Sequence, residues 1–179
     1  MIRLLTSIFN KSCEIFFYNE KKNILSGIHE RNLSGRLAIY LSNTLATTKL
    51  KDYFVDVEYN RKQDGLVKTI IDDEMRVYRI IPDIIIHSRG NFVKNDNLVV
   101  IEMKKSDSPE SEKVDDKERL KLMTRKSYNG IWTYDGKTHP EHVCGYILGI
   151  YMELNIHEFN CSYEFFRNGR RSKIESSRF

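Results

Sequence analysis

Two N-terminal segments are rich in apolar residues, and one of them has regular helical spacing. Residues 2–18 are apolar at mixed spacing, which predicts a helix with a strand over 15–18 as the alternative, and the polar residues 21–23 predict a turn. Residues 29–46 carry a regular apolar stripe that predicts an amphipathic helix. A charged segment at about 112–124, with few apolar residues on one side, predicts a third helix. The stripe in 29–46 consists of Leu33, Leu37, Tyr40, Leu41 and Leu45.

Five other segments have the pattern of β-strands. Segments 77–87 and 97–104 are almost entirely apolar and β-branched, which is typical of central strands that are covered on both faces. Turn-forming residues between them predict a hairpin. The order helix, three strands, helix, then one or more strands predicts an α/β fold with a central mixed β-sheet flanked by helices. The remaining strand segments are 53–59, 143–153 and 161–167, the last of them expected at an edge of the sheet.

Composition is that of a globular protein of one domain. Of 179 residues, 40% are hydrophobic and 30% are charged, and the three cysteines are too far apart and too few to suggest a disulfide framework. No apolar run approaches the length of a membrane span, so we expect no membrane partner and a cytoplasmic location. The sequence pI of about 8.9 is compatible with a nucleic-acid partner but does not require one.

Strand parity places a candidate metal site at the end of two neighbouring strands. Glu102 and Lys104 share one face of segment 97–104, and Asp83 lies in the segment that should pair with it as a hairpin. Glu30 is a further acid, aligned with the apolar stripe of the first amphipathic helix. Clustered carboxylates are costly unless they are paired or bind a metal, and Mg²⁺ prefers a few carboxylate oxygens together with water and phosphate.

Simpler interpretations of the same residues remain open. Glu102 and Lys104 could form a salt bridge at an exposed strand end. Asp83 could be an ordinary acid at a turn after Pro82. Glu30 could be a first-turn acid that the helix dipole favours.

The residues Pro82-Asp83 followed by Glu102-Met103-Lys104 resemble the motif of the PD-(D/E)XK nuclease superfamily. The likeness covers roughly residues 28–152 and extends to a prokaryotic group within that superfamily. It implies a restriction-endonuclease-like core of order α-β-β-β-α-β and a nuclease dependent on Mg²⁺ or Mn²⁺, with DNA favoured over RNA. Under this resemblance Asp83, Glu102 and Glu30 would bind the metal, and Lys104 would orient water or stabilise charge.

Several other residues are secondary candidates. Glu58 and His87 share strand parity with other polar residues and are site-adjacent candidates, although each could simply be a polar strand residue. Phosphate-binding candidates are Arg89, Lys117, Arg119, Arg170 and Arg171. A solvated helix face is the simpler interpretation of Lys117 and Arg119.

The remaining expectations concern domain organisation. Residues 1–25 would form an N-terminal helical extension, and residues 167–179 a basic, flexible tail that adds phosphate contacts. A homodimer is compatible with the sequence. The alternative function is a nucleic-acid-binding or protein-interaction module on the same fold that has no catalytic activity.

Overall fold

The computed structural model describes residues 1–57, 69–71, 77–79, 81–92, 95–125 and 144–179, with 69–71 and 77–79 described as backbone. The chain forms an α/β fold in which helices flank a mixed sheet, as the sequence predicts. The helices are α1 (Ile2–Leu25), α2 (Glu30–Ala46) and α3 (Glu110–Met123). The strands are β1 (Phe54–Val57), β2 (Thr69–Ile71), β3 (Val77–Arg79), β4 (Ile84–His87), β5 (Asn97–Lys105), β6 (Leu148–Asn155), β7 (Asn160–Arg167) and β8 (Arg170–Arg178).

Six strands form the main sheet in the order β1-β4-β5-β6-β7-β8. The predicted hairpin is confirmed, because β4 and β5 pair antiparallel with Ile84 opposite Ile101. The β5–β6 pair is parallel, since the connection that contains α3 crosses the sheet between them. All the other pairs in this sheet are antiparallel.

The two faces of β5 pack against different helices, and this explains its uninterrupted apolar run. Val99, Ile101 and Met103 belong to the core formed with α1 and α2. Val100 lies on the opposite face in a smaller core with Leu120 of α3. Glu102 and Lys104 share the parity of Val100, so they also face α3.

The N-terminal helix runs beyond the apolar segment 2–18. It continues without a break to Leu25, so both the strand alternative over 15–18 and the turn at 21–23 are wrong. The helical spacing continues through the buried residues Phe17, Glu20 and Ile24, while Lys21 and Lys22 lie on the exposed face.

The basic C-terminal segment is a strand, so the prediction of a flexible tail is wrong. Residues Arg170–Arg178 form β8, which pairs with β7 along its length and makes β7 an internal strand instead of an edge. Asn168 and Gly169 both have positive φ, at 53° and 75°, which suits a two-residue hairpin turn. Backbone pairing therefore orders a segment whose side chains are mainly polar.

The order of elements also differs from the expected α-β-β-β-α-β. An additional helix precedes the pattern, two strands follow it, and β2 and β3 form a separate two-stranded sheet. The strand expected over 77–87 is divided, because β3 ends at Arg79 and β4 begins only at Ile84. None of the helices in the described residues combines the length and hydropathy needed to cross a bilayer.

Candidate metal centre

Four acidic residues from four parts of the chain meet at one end of the β4–β5 hairpin. Asp83 directly precedes β4, Glu102 lies within β5, Glu30 is the first residue of α2, and Asp116 lies on α3. We call these four residues, together with the two bases that contact them, the acid cluster. The bases are Lys104 and Arg119.

Asp83 is held by the backbone of the neighbouring strand. Its carboxylate accepts a hydrogen bond of 2.7 Å from the amide of Met103, and the hairpin register places it opposite Glu102. Burial raises the pKa of Asp83 to about 6; the Met103 amide and the Lys104 ammonium lower the pKa, whereas Asp116 and Glu30 raise it further. Asp83 is therefore an acid whose charge the fold only partly compensates.

Glu102 is almost fully buried, at 2% exposure, and contacts a guanidinium group. Arg119 Nε donates to Glu102 Oε1 at 2.7 Å, and the same guanidinium pairs with Asp116 Oδ1. Burial raises the pKa of Glu102; Arg119 opposes this effect, whereas Asp83 and Asp116 reinforce it. A strand-end salt bridge at an exposed edge does not describe this site, because Glu102, Arg119 and Asp116 are all largely buried.

Lys104 connects the two helices that border the cluster. Its Nζ lies 3.6 Å from Glu30 Oε2 and 3.3 Å from Asp116 Oδ2. Burial lowers the pKa of Lys104, but the neighbouring carboxylates outweigh burial and hold it above its ordinary value. Lys104 is therefore positively charged at neutral pH.

Glu30 is positioned by the start of its helix. His29 caps α2, because its Nδ1 accepts a hydrogen bond of 3.2 Å from the amide of Arg31. Glu30 Oε1 in turn accepts hydrogen bonds from the Lys105 amide at 2.8 Å and from Ser108 Oγ at 2.9 Å. These contacts fix Glu30 over the end of β5, so it is more than a first-turn acid in solvent.

The acid cluster contains more acidic than basic groups, four against two. Burial raises the pKa of Asp116, with Glu30 adding to the effect and the two bases opposing it. Asp116 Oδ2 is buried without a hydrogen bond, although Lys104 Nζ is an ionic neighbour at 3.3 Å. A divalent cation is the kind of group that would compensate the excess of carboxylates.

The four carboxylates have the ligand chemistry that a divalent ion prefers, but Lys104 and Arg119 already form ion pairs with Glu30, Glu102 and Asp116. Within the described ranges, no three His, Cys, Asp or Glu side chains converge at a spacing that could hold a metal ion. Lys104 bridges Glu30 and Asp116, and Arg119 bridges Glu102 and Asp116. A metal that bound Glu102 together with Asp116 would therefore have to displace Arg119.

Asp116 is the member of the cluster that sequence reasoning missed. It precedes Leu120 by four residues and Met123 by seven, so it lies on the apolar side of α3. The same alignment with an apolar stripe singled out Glu30. Applied to α3, it would have found Asp116 as well.

A second layer of ion pairs holds α3 against the sheet. Lys113 Nζ donates to the Ser106 carbonyl at 2.7 Å and lies 3.4 Å from Glu153. Glu153 lies on β6, where it is the register partner of Lys104 of β5. Lys117 Nζ lies 2.7 Å from Glu164. The contacts of α3 near its N-terminus are thus largely ionic, and its buried apolar residues lie near its C-terminus.

The phosphate-binding candidates on α3 are engaged in contacts within the fold. Arg119 is buried in the cluster, and Lys117 pairs with Glu164 and lies 4.6 Å from the ring of Tyr151. A solvated helix face is therefore wrong for both residues. Of the two strand candidates, Arg171 pairs with Glu164 at 2.9 Å and Arg170 is exposed on β8.

The structure does not bring the other candidates into the acid cluster. His87 lies at the far end of β4 from Asp83, where its Nε2 is 2.7 Å from Asp56 Oδ2. Arg89 Nε donates to the same oxygen at 2.9 Å. Glu58 lies outside the described residues.

Comparison with protein-family models, with curated proteins and with solved structures gives no match. The geometry of the acid cluster is accordingly the basis for assigning a function.

Proposed function

We propose that this chain is a divalent-metal-dependent nuclease of the PD-(D/E)XK type, with DNA as the favoured substrate. The observation that carries the proposal is the acid cluster, in which four carboxyl groups and two bases meet at the end of a central hairpin. Three of the acids are the predicted Asp83, Glu102 and Glu30. Such an excess of buried acids is costly to folding and is typical of a functional site. The restriction-endonuclease-like core is part of this proposal.

Binding of Mg²⁺ or Mn²⁺ would require the Arg119 bridge to open, because no three of the described carboxylates converge in the present arrangement. Asp83 and Glu102 would then hold the metal, with Glu30 or Asp116 completing the set. When bound, it would lower the pKa of a coordinated water and offset negative charge on the scissile phosphate. Its charge would also compensate the acids that Lys104 and Arg119 leave uncompensated.

Lys104 would stabilise charge instead of removing a proton. Its pKa is above the ordinary value, so its ammonium group keeps its proton at neutral pH. Glu30 and Asp116 hold that ammonium on the α3 side of β5, beside Glu102 in strand parity. A fixed cation at this position would bind the phosphate and stabilise the negative charge that develops on it.

One observation favours the alternative of a binding module without catalysis. Arg119 already bridges Glu102 and Asp116, as it would in a cluster that only stabilises the packing of α3. Under this alternative the acids would need no metal, and the protein would bind nucleic acid or another protein without cleaving it.

Cleavage assays distinguish the two functions. The purified protein is incubated with single- and double-stranded DNA and RNA in the presence of Mg²⁺, Mn²⁺ or EDTA. We expect cleavage with metal and none with EDTA, and we expect Lys104→Ala, Asp83→Asn and Glu102→Gln each to abolish it.

Lys105→Ala is the matched control, because the Lys105 side chain contacts the Gly27 carbonyl at 2.8 Å and lies outside the cluster. The substitution leaves intact the backbone amide that Glu30 accepts from. Lys105→Ala should cleave like the unmodified protein. Equal activity of Lys104→Ala and Lys105→Ala would contradict the proposal, and so would no cleavage of any substrate with metal.

A further inference from the structure

A cationic groove lies on the face of the sheet opposite α3. It runs between α1 and the β7–β8 hairpin and consists of two adjacent cavities of about 810 and 870 Å³, which share Asn10 and Glu14 in their linings. The acid cluster contributes no residue to either cavity.

One cavity is strongly basic. Arg3 and Lys11 line it from α1, Arg167 and Lys173 line it from the hairpin, and Glu14 is its acidic lining residue. Lys173 pairs with Glu175, whereas Arg3, Lys11 and Arg167 make no ion pair with any residue that the structure describes. Surface cations without acidic partners attract a polyanion, because no ion pair within the fold has to be broken.

Helical spacing aligns the polar lining along one side of α1. Arg3, Ser7, Asn10 and Glu14 follow each other at intervals of four, three and four residues. The lining continues to Lys21, so the groove follows α1 for about 27 Å at 1.5 Å per residue. This length suits an extended chain better than a single small anion.

The second cavity adds aromatic surface. Tyr18 lines it and is 88% exposed, which is unusual for a large aromatic residue. Next to it Phe17 stacks on Phe179, with ring centroids 5.0 Å apart. Phe17 is itself buried, so Tyr18 is the exposed ring of this pair of neighbours. An exposed aromatic ring beside a basic groove is a combination that proteins use for single-stranded nucleic acids, in which cations follow the phosphates and rings stack on bases.

We propose that this groove binds a single-stranded nucleic acid, with Arg3, Lys11 and Arg167 contacting phosphates and Tyr18 stacking on a base. The site is separate from the acid cluster and goes beyond the proposed nuclease. It would hold a strand on the far face of the sheet whether or not the protein cleaves it.

Fluorescence anisotropy with a labelled single-stranded 20-mer of thymidine tests the groove. All measurements use the Lys104→Ala protein in EDTA, so binding is measured without cleavage and stays interpretable even if the nuclease proposal fails. Three phosphate contacts predict that the slope of log affinity against log salt is about −2, at about 0.7 per contact. Replacing Arg3 and Lys11 with Gln should bring the slope closer to zero by about 1.4 and weaken binding at least ten-fold.

The matched control removes the same charge outside the groove. Lys22 and Lys51 are exposed and line neither cavity, so Lys22→Gln with Lys51→Gln should leave the slope unchanged. Tyr18→Ala should weaken binding about five-fold or more without changing the slope, because it removes stacking and no charge. The exposed position of Tyr18 makes this substitution harmless to the fold.

Three results would overturn the proposal. The first is equal slopes for the groove pair and the control pair. The second is unchanged binding in Tyr18→Ala. The third is competition by inorganic polyphosphate as strong as that of the unlabelled 20-mer, which would show a polyanion site that does not recognise bases.

Discussion

Replacing Arg119 with Met removes the base that bridges two buried acids. The Arg119 side chain is 16% exposed, and Glu102 and Asp116 are 3% and 6% exposed. Removing one partner of a buried ion pair leaves an uncompensated charge and costs about 3–5 kcal/mol. We therefore expect Arg119→Met to lower the free energy of unfolding by about that amount, whereas a residue on a solvated helix face would cost at most about 0.5 kcal/mol.

The loss should depend on pH with a defined sign. The attraction between Arg119 and Glu102 exists only when Glu102 is ionised, and burial raises the pKa of Glu102 in the folded state. At pH 5, below its raised folded-state pKa, this carboxyl is protonated in the folded protein, so the substitution removes packing and little charge interaction with Glu102. As pH rises through the folded-state pKa, the uncompensated carboxylate lowers the stability of the variant further.

Urea unfolding followed by circular dichroism at pH 5 and pH 9, in EDTA, measures this loss. Lys117→Met is the matched control on the same helix, because Glu164 keeps Arg171 as a second partner and the expected loss is about 0–1 kcal/mol. Millimolar Mn²⁺ should stabilise Arg119→Met more than the unmodified protein, since the metal no longer competes with the guanidinium. A loss below about 0.5 kcal/mol at pH 9, or the same loss at both pH values, would refute this account of the cluster.

Two further substitutions test the packing and charge around the site. Burial raises the Asp83 pKa from 3.8 to about 6, so the unmodified protein loses stability as pH rises across that interval. Asn cannot ionise, so Asp83→Asn avoids this loss, which amounts to about 1.4 kcal/mol per pKa unit. In EDTA the variant should therefore be about 1–3 kcal/mol more stable than the unmodified protein at pH 8 and nearly equal to it at pH 3. A less stable Asp83→Asn at pH 8 in urea unfolding would contradict the charge excess. Gly149→Ala should cost about 1–3 kcal/mol in thermal unfolding, because its Cβ would lie 2.9 Å from Thr124 Cγ2 and 3.2 Å from Phe166 Cβ. Gly35→Ala in α2 has nothing within 4 Å and should be neutral or stabilising, and equal melting temperatures for the two alanine variants would contradict the packing.

Central strands were predictable from the sequence and the C-terminal strand was not. In β5 the continuous apolar run indicates that both faces of the strand are buried. The alternation of side chains along a strand is enough to place Glu102 and Lys104 on the same face. In β8 the side chains are mainly polar and Ile174 is exposed, so no apolar pattern marks the strand. Its order comes from backbone pairing to β7 after a two-residue turn, and backbone pairing leaves little trace in the segment's own composition.

The site was predictable to the extent that a strand or helix pattern marked its residues. Pro82-Asp83 and Glu102-x-Lys104 follow from strand pattern and resemblance, and Glu30 follows from its apolar stripe. Asp116 shares the apolar side of α3 with Leu120 and Met123, so the same alignment could have marked it, but Arg119 could not be separated from the other charges of that helix. Their burial depends on how α3 crosses the sheet, which is a tertiary property that residue type does not encode.

Electron paramagnetic resonance of Mn²⁺ titrated into the protein tests the central claim, that the acid cluster holds a divalent metal. We predict one bound Mn²⁺ per chain at millimolar or lower concentration, lost when Asp83→Asn and Glu102→Gln are combined. Glu164→Gln is the matched control, because it removes a carboxylate on the same face of the sheet that pairs with Lys117 and Arg171 outside the cluster. It should bind Mn²⁺ like the unmodified protein. No bound Mn²⁺ in the unmodified protein, or equal binding by the combined Asp83 and Glu102 variant, would contradict the account.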